Sequence, residues 1–172
     1  MYRFIFYEGQ TFADKIIRYR TFLRLLFSRK YTYKQVKRFS KYTHVAMYNT
    51  VKKTIVESVK GEGVRELRSV SSCYRGCFAD MYIINMSNEI CNIVWNDCLI
   101  EKGKGYDTKG AIGLGLKKHS MENKDKFFCT ELILAKFWHY NIRFLDFGDP
   151  VMVFPGELPI SQFLKLEVRM KV

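Results

Sequence analysis

The sequence predicts an α+β domain, and three observations lead there. Short β-branched and aromatic runs bounded by turn residues read as strands: YRFIFY (2–7), THVAMY (43–48), TIVESV (54–59) and DMYIIN (80–85). Longer stretches carry helical spacing instead. One or two helices packed against an antiparallel sheet is the arrangement that accommodates both.

Taken in order, residues 2–7 form a strand closed by Glu8-Gly9. Asp14 then reads as the N-cap of a helix through KIIRYRTFLRLLF, with Ile16, Tyr19, Leu23, Leu26 and Phe27 on one face. That face is expected to enter the core while the arginines snorkel outward. THVAMY and TIVESV make a hairpin, Lys60-Gly61-Glu62-Gly63 a turn, and Val64–Leu67 a continuation of the sheet. After DMYIIN, residues 88–100 are helical through Ile90, Ile93, Val94 and Asp97. The glycine-rich stretch 103–115 reads as a loop around Tyr106-Asp107, and a second helix runs from about Asp125 to Tyr140. VMVF (151–154), a Pro155-Gly156 turn and a strand near 163–168 complete the chain.

Size and composition set the remaining bounds. The chain has 172 residues, 48% hydrophobic and 27% charged, which suits one globular domain over 1–172 and excludes a disordered polymer. Only three prolines occur, and no repeat or linker interrupts it. Five cysteines (Cys73, Cys77, Cys91, Cys98, Cys129) without a signal-like start point to free thiols in a reduced, cytoplasmic setting. No stretch approaches the roughly 18–20 apolar residues of a membrane span.

Charge is uneven. Against 17 acidic side chains stand 29 basic ones, a net charge of +12. Ten of the basic residues lie between Lys15 and Lys41, where no acidic residue occurs. A solvated face accounts for such charge in many small proteins. The alternative is an anionic partner met by the 15–41 segment, either a membrane surface or nucleic acid, and a basic binding module without catalysis is the corresponding second function.

Two features carry chemistry. If Asn49–Lys52 form the hairpin loop, Tyr48 pairs with Lys53 and His44 falls opposite Glu57, with Cβ atoms about 4.5–5.5 Å apart. A slip by one residue would separate them onto opposite faces. A carboxylate on one imidazole nitrogen fixes the tautomer and steadies the imidazolium of a general base; the plain reading is a polar pair closing a hairpin. Cys129 lies in the first turns of the second helix, where the positive end of the dipole favours thiolate. Read plainly, it is a small buried hydrophobe. Nucleophile, base and orienter together are what a thiol hydrolase needs.

The residues Ile16-Ile17-Arg18-Tyr19 with Thr21, Tyr42-Thr43-His44-Val45, Val56-Glu57 with Gly63-Val64, Tyr106-Asp107, Cys129-Thr130-Glu131-Leu132, and Pro155 with Leu158 and Ser161 follow one another in a familiar order. In that order the chain resembles the circularly permuted branch of the NlpC-type papain-like cysteine peptidases, found in bacteria, phages and poxviruses. The resemblance implies a permuted papain-like fold, an antiparallel sheet or partial barrel with the cysteine helix packed on it. It implies catalysis by Cys129, His44 and Glu57 on an amide or ester carbonyl, through a thioacyl-enzyme. The backbone N–H of Cys129 would serve as oxyanion donor, and Tyr106 and Thr130, the latter where relatives have serine, would contact the substrate. Peptide amides or lipid-like acyl groups are the implied substrates, with no metal or organic cofactor required. For a viral chain the cytoplasm would be that of an infected host cell.

Other patterns carry less. Cys73-x₃-Cys77 and Cys91-x₆-Cys98 match no common zinc spacing, and His119 and His139 do not complete one. Gly105 to Gly110 lacks the Lys-Ser/Thr of a phosphate-binding loop.

Overall fold

The computed structural model describes residues 1–68, 74–111, 125–145 and 153–172. Its main elements are β1 (Tyr2–Tyr7), α1 (Phe12–Phe27), α2 (Tyr33–Phe39), β2 (His44–Asn49), β3 (Thr54–Val59), β4 (Gly63–Arg68) and β5 (Phe78–Ile84). They continue with α3 (Asn88–Ile100), β6 (Gly105–Tyr106), β7 (Lys126–Phe127), α4 (Cys129–His139), a 3-10 turn over Pro155–Ile160, and β8 (Leu164–Lys171).

Six strands form one sheet in the order β4-β3-β2-β1-β5-β8, every neighbour antiparallel. The first strand of the chain is thus central, and its six residues are all buried. The fold is α+β, as the residue patterns predict. The antiparallel sheet is open rather than closed, and among the described residues its outer strands are β4 and β8. Gly63 begins β4 with φ +71, and a Cβ there would lie 2.1 Å from the Lys104 carbonyl oxygen. Only glycine allows that approach.

Strand alternation divides the core. Phe4, Phe6, Val45, Met47 and Val56 pack with Trp95 of α3 and Leu132, Ile133 and Phe137 of α4. The other face carries a smaller cluster of Ile5, Tyr7, Ala46, Ile55 and Ala79. In α3 the buried residues are Cys91, Val94, Trp95 and Cys98, so the core-facing stripe is rotated from the predicted one and Ile93 is exposed.

The largest departures lie near the N-terminus. Thr11, not Asp14, caps α1; Asp14 is the third helical residue and closes a capping box by accepting from the Thr11 backbone N–H at 2.9 Å. A further helix that was not predicted follows: Arg29 takes φ 54, and a second capping box, of Thr32 and Gln35, starts α2. The predicted core face of α1 points to solvent. Tyr19 is 62% and Phe27 76% exposed, while Asp14, Thr21 and Leu25 are the buried residues. An i, i+4 pattern shows which residues share a face, not which way that face turns.

The C-terminal helix begins at Cys129 instead of Asp125, because Lys126–Phe127 pair with β6 as a short parallel strand. Pro155–Ile160 is a 3-10 turn in place of a simple bend, and of the predicted strand 151–154 the first two residues lie outside those described. Cys73 and His119 also lie outside them. Among the described residues no helix is long and apolar enough to cross a membrane.

Candidate active site

The hairpin that brings His44 to Glu57 has a different register from the predicted one. Tyr48 pairs with Ile55 and Asn49 with Thr54, so residues 50–53 make the turn and the strands are shifted by two. A two-residue shift keeps every side chain on its face. His44 and Glu57 therefore still share a face and meet on a diagonal, with His44 Nε2 2.7 Å from Glu57 Oε2. Glu57 is fully buried.

A buried carboxylate needs more than one partner. Arg65 supplies it: its Nε and Nη2 donate to Glu57 Oε1 at 3.1 and 2.8 Å. Glu57 and Arg65 are direct cross-strand partners in the β3–β4 hairpin. Arg65 also pairs with Glu62. The sequence reading passes over Arg65; the signal was its place opposite Glu57 across the Gly61 turn.

Cys129 is the first residue of α4, closer to the helix terminus than predicted, and its N–H has no partner within the helix. The entry to this helix is pinned from three sides. The Phe127 carbonyl accepts from the Ser58 hydroxyl and from the Asp107 N–H, at 3.1 Å for the latter. The Phe128 N–H donates to Glu131 at 3.1 Å. Ser58 follows Glu57 on β3, so one strand holds both the carboxylate and the approach to the cysteine.

Cys129 lies near enough to His44 that its sulfur is the strongest influence raising the imidazole pKa. With Nε2 turned to Glu57, Nδ1 is the ring nitrogen left for the sulfur. Burial disfavours a charged imidazole, but Cys129 and Glu57 outweigh it and raise the His44 pKa to about 10. Burial pushes Cys91 to about 11 and Cys98 to about 12, and it raises Cys77 as well.

Aromatic rings enclose the imidazole. Tyr74 stacks on His44 with centroids 4.7 Å apart and 16° between planes, and Tyr7 stacks behind Tyr74 at 4.9 Å. Burial and the nearby Cys129 and Asp14 raise the pKa of both Tyr74 and Tyr106, so both phenols remain donors. Tyr106 is half-buried on β6, beside Phe128 and Ile17.

Thr130 stands elsewhere. It is fully buried, and its hydroxyl donates to the Val153 carbonyl at 2.7 Å, which turns it from a substrate contact into an anchor of the helix start. The structure brings Cys129, His44, Glu57 and Tyr106 together and adds Arg65 and Tyr74. His139 ends α4 on the surface.

No protein-family model matches this sequence, and no curated protein matches it.

Proposed function

We propose that the chain is a thiol hydrolase, or an acyltransferase using the same steps, built on a permuted papain-like fold of the NlpC type. One observation carries the reading. The residue at the first position of a helix is a cysteine whose sulfur raises the pKa of a neighbouring imidazole, itself hydrogen-bonded to a buried carboxylate. That line orders nucleophile, base and orienter as covalent acyl transfer requires.

In the proposed cycle the Cys129 proton resides on His44, and the thiolate attacks the carbonyl carbon of an amide or ester. The oxyanion forms beside the helix N-terminus, where the Cys129 N–H is an available donor. Collapse breaks the bond to the leaving amine or alcohol, which takes the proton from His44. Water or another nucleophile then gives a proton back to His44 as it attacks the thioester, releasing the acyl group and restoring the thiolate–imidazolium pair. Glu57, held by Arg65, keeps the ring oriented throughout. Tyr106 and Tyr74 flank the thiol as neutral donors. Peptide amides and lipid-like acyl groups are the substrate classes in view.

The test is the pH dependence of iodoacetamide alkylation at each cysteine, by mass spectrometry, in the native protein and in His44→Ala. The expected result is alkylation of Cys129 well below pH 8, lost with the histidine, while Cys91 and Cys98 stay inert until far higher pH. Alkylation of Cys129 at the same rate in both proteins would sink the assignment.

A further inference from the structure

The outer face of α1 is more apolar than the face it buries. At 100° per residue, Phe12, Ile16, Tyr19, Leu23, Leu26 and Phe27 fall within a stripe about 100° wide. Phe12, at 79%, is the most exposed of them, and Leu23 is half-buried. Lys15 and Arg20, both exposed, flank the stripe on either side. The helix is held from behind by Asp14, Thr21 and Leu25 and by the Arg24–Glu157 ion pair at 2.9 Å. It is therefore a fixed element that presents an amphipathic surface outward. Tyr33 of α2, 64% exposed and edge-on to Phe22 at 6.0 Å, extends the same aromatic surface.

We propose that this α1–α2 surface docks on an anionic lipid bilayer, with the stripe entering the headgroup–acyl boundary and the flanking basic residues on lipid phosphates. Two features select this occupant. The segment 15–41 has ten basic and no acidic residues, and those exposed, Lys15, Arg20, Arg29, Lys30, Lys34, Lys37 and Arg38, complement an anionic surface and repel a second copy of the same face. Aliphatic and aromatic residues form one continuous line, which suits insertion into hydrocarbon. Nucleic acid would need stacking rings along a basic groove instead. A chain with no membrane-spanning helix among its described residues would bind reversibly by such a face.

Lipid docking by α1 and α2 does not depend on the thiol, and vesicle binding is measured without it. Native protein is co-sedimented with vesicles of phosphatidylcholine alone and with vesicles that also contain phosphatidylserine, over a salt series. Binding is expected only to the anionic vesicles, weakening steeply with salt. Ile16→Ser with Phe27→Ser should lower the partition coefficient about tenfold or more at fixed salt. Lys15→Glu with Arg20→Glu should reduce it comparably, both pairs keeping native far-ultraviolet circular dichroism. Cys129→Ala should bind like the native chain, whatever alkylation shows. Failure to sediment with anionic vesicles at low salt overturns the proposal, as does binding that ignores the apolar pair. Self-association or oligonucleotide binding abolished by that pair, without vesicle binding, overturns it too and assigns the face elsewhere.

Discussion

An imidazole inside a protein ordinarily gives up its proton, because burial penalises the cation. At His44 the neighbouring sulfur and Glu57 reverse that preference, and the pKa reaches about 10. The ring resonances of His44 should therefore report an imidazolium at pH 8 by nuclear magnetic resonance. In Cys129→Ala the same signals should report a mostly neutral ring; an unchanged titration would mean the sulfur does not stabilise the protonated imidazole. Arg65 makes a second residue-level prediction. Arg65→Met leaves Glu57 buried without its guanidinium, a change that costs about 3–5 kcal/mol when a buried pair is broken. Urea denaturation should show it, and adding Glu57→Gln should recover part of the loss. At this scale His44 and Glu57 were legible despite a misplaced turn, because the faces of a strand survive a two-residue shift. Arg65 and Tyr74 were not. Arg65 needs the true pairing of β3 with β4, and Tyr74 reaches His44 from thirty positions away along the chain.

Among elements, the helix that carries the cysteine depends on how its start is held. Thr130 contributes one hydrogen bond to the Val153 carbonyl, so Thr130→Val should lower stability by about 1–3 kcal/mol through an unsatisfied buried acceptor. Thr130→Ser should be close to native, and equal thermal midpoints for Thr130→Val and the native chain would dismiss the anchoring role. Strands and α3 were readable from local pattern, because alternation and 3.6-residue spacing act within a few residues. The start of α4 was not. Asp125 looks like a cap, but β6 captures Lys126–Phe127 as a strand and delays the helix to Cys129. The two capping boxes, Thr-x-x-Asp at 11–14 and Thr-x-x-Gln at 32–35, went unread: Asp14 reads as a cap in its own right, and α2 is too short to show a clear apolar period.

For the molecule as a whole, the raised His44 pKa links folding to pH. The folded value lies above the unfolded value of about 6.5. Its contribution is therefore complete below that pH and is lost as pH rises through about 10. Thermal midpoints of the native chain should fall over that window, and the fall should be shallower in His44→Gln. The α+β class was legible from composition and alternation, whereas the strand order was not, since placing β1 between β2 and β5 depends on contacts distant in sequence. That order leaves β8 as an outer strand, and along it Lys165, Glu167, Arg169 and Lys171 alternate with apolar residues. A charged outer strand is a poor template for a further chain, since docking would bury ions against a foreign backbone. Neutralising those four positions is accordingly the change most apt to turn a dispersed protein into fibrils, and thioflavin fluorescence during prolonged incubation would register it.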